Sequence, residues 1–555
     1  MKFIAALEAD FHQGALGTRS RLRDDLLGET VLRRTLKRVL ECPRLASVHL
    51  IVDVAQEPLA REAASGLSVK IETHSAGRPP WQAFVASARK WSLDAWRGGI
   101  GGASVFDEAF NPWVLEALAR REGADAVACV PAAAPVFDSA LLGEMLAHYE
   151  KVHEDVRLTF TQSPPGLTAG IYSPEFLADL AKTAQFPSRT MAYRPSEPRR
   201  DVILQPCYYS AAPAIAQSTG RLIADTAAAV ARIRALLEKG DESNFMARPA
   251  HKGDESIVWA APAGPFRQDG PDLPFLPAEV EIELTTEDSL PATTLRPRGQ
   301  AVGRRGPMNA DIFARLADEL SQRDDARIVL GGYGDPLLHP DFSGLLHKCR
   351  AAGIFGLAVR TPAVSLDEPT IEALIDNQVD VLNVLLDATT PATYAQVHGA
   401  DYFDRVNANL ERLLAAHQRT RQPRPLLVCE LVKTRATLPE MEAFYDHWLT
   451  KTSAAVISGP SSHAGRWHDL SVMDMSPPAR FACARIFNRA MVLADGRMTV
   501  CDQDFRGEQA VGTLASHSLA DLWSSPAMQA AREAELAGTH DGMAMCPACK
   551  EWHRP

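Results

Sequence analysis

Short apolar runs alternate with amphipathic stretches through the first part of the chain. KFIAAL at residues 2–7 and DAVACVP at residues 125–131 have the apolar content of buried strands. TVLRRTLKRVLE at residues 30–41 and NPWVLEALARRE at residues 111–122 carry their apolar residues at helical spacing. This alternation predicts an α/β domain over residues 1–238, with helices covering a mostly parallel sheet.

The pattern changes twice farther along. Residues 239–277 are rich in Pro, Gly, Asp and Glu, which is typical of a solvated linker. Over residues 278–470 the alternation returns, with strand candidates VEIELT, ARIVLGG, GLAVRT, VDVLNVLLD and RPLLVCELV between helical segments. Repeated βα units predict a full or partial TIM-type barrel. Residues 471–555 have shorter elements and form a separate predicted domain.

Composition narrows the classes of function. The 555 residues carry a net charge of −11, so a broad positive surface for nucleic acid is not expected. No apolar run approaches the roughly 20 residues of a membrane span. The N-terminal residues MKFIAALEADFHQG lack the basic and apolar regions of a signal peptide, so we expect a cytoplasmic protein.

Four of the nine cysteines gather near the C-terminus. The other five lie mostly inside apolar runs and are typical of small buried side chains: Cys42, Cys129, Cys207, Cys349 and Cys429. Cys483 and Cys501 flank a predicted hairpin whose ADG turn includes Gly496, and Cys546 and Cys549 form a CxxC pair. In a cytoplasmic chain such a cluster predicts metal binding. Four thiolates suit either Zn²⁺ or a [4Fe–4S] cluster, and spacing alone does not separate the two.

This C-terminal segment resembles the SPASM extension of radical SAM proteins. The residues that carry the resemblance follow the second cysteine: Asp502, Asp504, Gly512, Leu514, Leu519, Leu522 and Trp523, with the closing CxxC pair. The resemblance implies a small α+β domain that holds an auxiliary iron–sulfur cluster. Since further cysteines of the family are missing, it implies one [4Fe–4S] cluster on Cys483, Cys501, Cys546 and Cys549.

The stretch EIELTTEDSLPATTLRPRG at residues 281–299 resembles the first strand and cluster loop of the radical SAM barrel. In that family the loop reads T-x-x-C-x-x-x-C-x-x-C, and its three cysteines hold a [4Fe–4S] cluster. Here the three positions are Asp288, Ala292 and Leu295. Ala and Leu have no donor atoms, and one carboxylate does not hold a soft cluster. We therefore expect a radical SAM barrel without its catalytic cluster.

Other parts of the barrel resemble the family more fully. IVLGGYGDPLLHPDF is similar to the glycine-rich strand that meets the methionyl amine, with Gly331, Gly332 and Asp335 at the matching positions. VLNVLLDATTPATYAQVHG is similar to a later strand and helix of the family and includes Asp387. These residues imply a vestigial S-adenosylmethionine site. Cleavage of S-adenosylmethionine is not expected, whereas binding of the intact molecule or of another nucleotide stays open.

The first 238 residues resemble sugar nucleotidyltransferases of the spore-coat-polysaccharide cytidylyltransferase type, which have a Rossmann-like GT-A sheet. GTRSRLRDDLLGETVLRRTLKRVL is similar to their nucleotide loop and offers Arg19 and Arg21 to phosphates. GRLIADTAAAVARI keeps Asp225 of the late Asp-Thr pair. The Asp that would hold Mg²⁺ is replaced by Ala133, so Mg²⁺ binding and nucleotidyl transfer stay open questions.

Three functions follow as hypotheses. The favoured one is a non-catalytic or accessory iron–sulfur protein of glycan or modified-sugar metabolism, which binds a partner enzyme, a nucleotide or a nucleotide sugar. The second is a sugar cytidylyltransferase acting through the N-terminal domain. The third is an electron-transfer partner of a separate radical enzyme. Fold resemblance alone does not choose among them, because function depends on the site.

Overall fold

The chain folds as two compact units. The computed structural model describes residues 1–98, 100–197, 201–218, 220–238, 275–291 and 295–554. The described residues up to 238 form one unit, and those from 275 onward form the other. The predicted linker lies outside the described residues except for its last three positions. Among the helices of the described residues, none has the length and apolar character needed to span a membrane.

The N-terminal unit is an α/β domain. Its strands are β1 (Phe3–Glu8), β2 (Asp25–Leu26), β3 (Glu29–Thr30), β4 (Leu45–Asp53), β5 (Val69–His74), β6 (Ala126–Cys129), β7 (Leu158–Thr159) and β8 (Gly170–Tyr172). Its helices are α1 (Val31–Leu40), α2 (Glu57–Ala63), α3 (Gln82–Arg89), α4 (Pro112–Glu122), α5 (Ser139–Val152), α6 (Pro174–Thr183), α7 (Pro187–Met191), α8 (Pro213–Ala216) and α9 (Ala227–Glu238).

Six of these strands form one sheet in the order β5-β4-β1-β6-β8-β7. The first four are parallel, whereas β8 runs antiparallel to β6 and to β7. The α/β prediction is confirmed, and the antiparallel edge is a feature that the apolar pattern did not indicate.

Strand β1 lies at the centre of this sheet and is buried on both faces. Phe3, Ala5 and Leu7 belong to the hydrophobic core on one face, and Ile4 and Ala6 belong to the core on the other. Successive side chains of a strand point to opposite faces, so a strand covered on both sides has a continuous apolar sequence. This explains why KFIAAL shows no polar alternation.

The C-terminal unit contains a long parallel sheet with an outer layer of helices. Its strands are β9 (Glu279–Glu283), β10 (Arg327–Gly331), β11 (Gly356–Thr361), β12 (Val381–Leu385), β13 (Leu426–Val432), β14 (Ala455–Ser458), β15 (Arg489–Val492), β16 (Arg497–Thr499) and β17 (Ala510–Thr513). Its helices are α10 (Ala310–Leu320), α11 (Phe342–Ala351), α12 (Glu368–Asp376), α13 (Pro391–His398), α14 (Phe403–Thr420), α15 (Met441–Thr452), α16 (Arg485–Asn488), α17 (Leu519–Trp523) and α18 (Pro526–Ala537).

Strands β9 to β14 are parallel and lie side by side in chain order, as repeated βα units require. The cysteine-rich segment extends the same sheet from its other side. Strand β15 pairs in parallel with β9, in the register Arg489↔Glu279, and then forms a hairpin with β16. The turn of this hairpin includes Gly496 at φ 82°, which confirms the hairpin predicted from the sequence. The predicted segments 278–470 and 471–555 thus share one nine-stranded sheet.

Candidate functional sites

The four C-terminal cysteines lie on the loops around the β15–β16 hairpin. Cys483 comes just before α16, Cys501 follows β16, and Cys546 and Cys549 flank a single 3-10 turn. All four are free thiols, and each is buried or half-buried. The backbone N–H of Gln503 donates to Cys501 Sγ at 3.4 Å, and that of Glu551 donates to Cys549 Sγ at 3.3 Å. Such N–H donors stabilise bound thiolates and tune the potential of a cluster.

Burial governs the acidity of these thiols. It raises the pKa of each of the four above the ordinary thiol value, and that of Cys546 reaches about 12. A bound metal displaces these protons, because a coordinating thiol is deprotonated. The donor set therefore fits a thiophilic metal group.

The spacing of the sulfur atoms bears on which group it is. A tetrahedral Zn²⁺ with Zn–S bonds of about 2.3 Å holds its thiolates about 3.8 Å apart. Within the described residues, the one set of three ligand atoms that lie within 4.8 Å of one another is His49, Glu72 and Glu122, and it includes no cysteine. In an iron–sulfur cluster each thiolate binds a different iron, so the sulfur atoms lie farther apart. The four thiols are thus not drawn together as tightly as a tetrahedral Zn²⁺ would hold them, and Zn²⁺ and a [4Fe–4S] cluster are both compatible with the donor set.

The loop after β9 contains an ion pair where the family has a cysteine. The Asp288 carboxylate contacts the Arg298 guanidinium, and both side chains are almost fully buried. Leu295, at the third cysteine position, packs against Val397 and Val432. Ala292, at the second position, lies outside the described residues. The described part of this loop does not fit a cluster, because neither an ion-paired carboxylate nor a leucine side chain supplies a thiolate.

The glycine-rich strand end keeps its close backbone packing. Gly332 has φ +81°, and a Cβ at this position would lie 2.7 Å from Glu283 Cβ. Its N–H donates to Glu281 Oε1 at 3.0 Å. Asp335 is fully buried and begins a 3-10 turn, and its Oδ1 accepts from the Thr361 hydroxyl at 2.7 Å. These contacts give Gly331 and Gly332 a structural role in the approach of β10 to β9.

Asp387 lies beside the same loop. Its Oδ1 accepts from the Val432 N–H at 2.7 Å, and its Oδ2 lies 3.7 Å from Arg296 Nη2. Burial raises the pKa of Asp387 to about 6. Both Asp335 and Asp387 act electrostatically on Arg298, so the structure brings the predicted residues into one neighbourhood. Among the described residues, the buried Tyr394 hydroxyl, Asp335 Oδ2 and Asp387 Oδ2 have no hydrogen-bond partner, which leaves several polar atoms available to a ligand.

The N-terminal residues predicted to bind a nucleotide line one pocket. The pocket has a volume of about 380 Å³ and lies at the carboxyl ends of the parallel strands, where open α/β sheets bind ligands. Arg19, Arg21, Ala133 and Asp225 all contribute to its lining. The Ala224 N–H donates to the Ala133 carbonyl at 2.7 Å, so the two positions predicted for Mg²⁺ are adjacent.

Internal ion pairs occupy the charged groups of this pocket. Arg19 and Arg21 both donate to Asp24, at 2.8 and 2.9 Å. Asp225 is buried against Arg221, which also donates to Glu108 at 2.6 Å. Because Asp225 is bound to the Arg221 guanidinium, its carboxylate is not available to Mg²⁺ in this arrangement.

Two segments in the second half of the chain match different family models. Residues 293–422 match the family model of the radical SAM superfamily. Residues 483–550 match that of SPASM, described as an iron-sulfur cluster-binding domain. The second half of this chain carries a radical SAM domain and a SPASM domain. Both resemblances predicted from the sequence are confirmed, and the radical SAM match begins after Asp288, the first of the three cysteine positions.

The similar proteins span enzymes of several kinds. A probable GTP 3′,8-cyclase of Methanothermobacter marburgensis is 28% identical over 110 residues, which are 20% of this chain and 34% of that protein. The chain thus spans about a third of that relative's length. SuiB of Streptococcus suis, bound to the precursor peptide SuiA, is 13% identical with a TM-score of 0.39, over 55% of this chain and 80% of SuiB.

A cytidylyltransferase is also among the similar structures, as the resemblance of the first 238 residues predicted. The protein, from Leptospira borgpetersenii serovar Hardjo-bovis, is 12% identical with a TM-score of 0.29, over 44% of this chain and 92% of that chain.

Sequence reasoning missed several residues of these sites. In the pocket, the half-buried Glu8 ends β1, its carboxylate accepts from the Asn111 N–H at 2.7 Å, and desolvation raises its pKa to about 7. A charged residue that ends an apolar central strand was the available signal. In the radical SAM domain, the sequence showed the missing cysteines but not Arg298 as the partner of Asp288. In the SPASM domain it missed Glu535, a buried carboxylate of α18.

Proposed function

We propose that this chain is an accessory iron–sulfur protein, which holds one [4Fe–4S] cluster in its SPASM domain and does not cleave S-adenosylmethionine by itself. The observation that carries the proposal is the buried Asp288–Arg298 pair, which lies where the catalytic cluster would need a thiolate. When bound, a SPASM cluster supplies one-electron redox chemistry or a rigid cross-link between loops. Cytoplasmic location is part of the proposal, since thiols stay reduced there.

Metal analysis of anaerobically purified protein tests this proposal. We expect about four irons and four acid-labile sulfides per chain, lost together in the Cys546→Ala/Cys549→Ala variant. With dithionite and S-adenosylmethionine, we expect no 5′-deoxyadenosine. About eight irons per chain, or steady formation of 5′-deoxyadenosine, would show that the barrel holds a catalytic cluster. One zinc without sulfide would exclude the iron–sulfur assignment.

The N-terminal pocket supports a second part of the proposal, which is binding of a nucleotide or nucleotide sugar without transfer. The pocket gathers Arg19 and Arg21 at its mouth, where phosphates would compete with Asp24 for them. The incomplete carboxylate set argues against Mg²⁺-assisted transfer. A nucleotide sugar is a metabolite of glycan or modified-sugar metabolism, so we place the protein there. A partner enzyme would then use the bound ligand.

Titration with CTP, with and without Mg²⁺, separates binding from transfer. We expect CTP to raise the melting temperature without release of pyrophosphate when a sugar phosphate is added. Arg21→Ala should abolish the shift, whereas Arg23→Ala should keep it, because Arg23 is exposed on the same loop and does not line the pocket. Mg²⁺-dependent pyrophosphate release would instead establish a cytidylyltransferase.

A further inference from the structure

A buried carboxylate lies among the cysteines of the SPASM domain. Glu535 is on α18, 2% exposed, on the face that also buries Met528, Ala531 and Arg532. An ionisable side chain on the apolar face of a helix is costly unless it is fully hydrogen-bonded. Its position therefore needs a reason beyond packing.

The hydrogen bonds of Glu535 connect two cysteine loops. Its Oε2 accepts from the backbone N–H of Cys483 at 3.1 Å. Its Oε1 accepts from Arg480 Nη2 at 2.9 Å, and Arg480 Nη1 donates to the carbonyl of Cys546 at 2.6 Å. One carboxylate thus joins Cys483 to Cys546, which are more than 60 residues apart in the chain.

A third donor completes the site. His540 Nε2 lies 3.0 Å from Glu535 Oε2, so both oxygens of the carboxylate have polar partners. A neutral amide at this position has only one acceptor oxygen and would place two N–H donors against Arg480 or Cys483. The site is therefore specific for a carboxylate.

We infer that Glu535 is a positioning residue of the SPASM cluster, which fixes the loops of Cys483 and Cys546 at the separation that the cluster requires and places a negative charge beside it. The inference rests on the proposed function, since it needs a cluster to be present. We assign Glu535 a positioning role and not that of a ligand, because its oxygens accept from Arg480 and from the Cys483 N–H and the four cysteines supply the thiolates.

Matched substitutions on α18 test the role. Glu535→Gln should lower iron and sulfide to less than half of the wild-type content, speed the loss of the cluster to a chelator, and raise the reduction potential of the remaining cluster at constant pH, because a negative charge is removed. Glu533→Gln, an exposed change on the same helix, should leave content, loss rate and potential unchanged. Far-ultraviolet circular dichroism checks that each variant is folded.

Arg480→Gln provides a second test of the positioning role if Glu535→Gln does not fold. This change removes the link from Glu535 to Cys546 but keeps the hydrogen bond from the Cys483 N–H to Glu535, so we expect intermediate cluster loss. Wild-type iron content and potential in a folded Glu535→Gln variant, or in Arg480→Gln, would overturn the positioning role while leaving the proposed cluster intact. A wild-type protein without iron and sulfide would instead overturn the proposed function.

Discussion

Arg298 forms a buried ion pair with Asp288 in the loop after β9 of the radical SAM domain. Arg298 and Asp288 are 2% and 3% exposed, so neither charge is hydrated, and the contact between them offsets the cost of burying both. Breaking such a pair leaves an unpaired charge in the interior, which costs far more than the net contribution of the intact pair. A loop that had only lost its cysteines would have no interaction in place of the cluster. In this chain the Asp288–Arg298 ion pair holds the loop instead.

Removal of one partner should therefore destabilise the domain strongly. We expect Asp288→Asn or Arg298→Met to lower the free energy of unfolding by about 3–5 kcal/mol, measured by urea denaturation. The control is Glu287→Gln in the exposed Arg304–Glu287 pair of the same region, 89% and 60% exposed, for which we expect less than about 1 kcal/mol. Equal effects at the two pairs would contradict the account.

Glu8 gives a prediction for pH dependence. Its pKa is raised to about 7 in the folded chain from 4.5, because burial penalises the charged form. Its contribution to stability is therefore greatest below pH 4.5 and is lost as the pH rises through 7. We expect Glu8→Gln to exceed the wild type by less than about 1 kcal/mol near pH 5 and by about 3 kcal/mol at pH 8, in unfolding measured at both values. A difference independent of pH would exclude the titration of Glu8.

At the level of elements, the strands were the most predictable feature. VEIELT, ARIVLGG, GLAVRT, VDVLNVLLD and RPLLVCELV correspond to β9 to β13. Most of them are apolar runs of the kind that buried parallel strands form, and VEIELT instead alternates apolar and acidic residues. The partners of charged residues were not predictable, since Asp288–Arg298 and Glu535–Cys483 depend on how loops fold back. The pairing of β15 with β9 could not be predicted either, because the pattern of apolar residues does not show which strands are neighbours in a sheet.

The glycine-rich end of β10 allows a test of close packing. Gly332 and Gly353 have nearly the same φ, +81° and +79°, but a Cβ would strike Glu283 at the first position and meet open space at the second. We expect Gly353→Ala to cost about 1 kcal/mol and Gly332→Ala at least twice as much, in thermal unfolding. Similar losses would show that backbone conformation, rather than contact with β9, accounts for Gly332.

At the scale of the whole molecule, each unit has a hydrophobic core of its own. We expect two calorimetric transitions, of which one falls when the cluster is removed and the other is unchanged. The Cys546→Ala/Cys549→Ala variant should reproduce this selective change without a chelator. A single transition that shifts as a whole would contradict independent unfolding.

The pairing of β15 with β9 has a consequence for synthesis on the ribosome. Strand β9 cannot complete its hydrogen bonds until Arg489–Val492 emerge, about 200 residues after Glu279. At about 5–20 residues per second this is a delay of about 10–40 seconds, during which one edge of a largely apolar sheet is unpaired. An exposed strand edge is an aggregation hazard, so we expect the nascent sheet to be prone to aggregation until the segment that carries the four C-terminal cysteines covers this edge.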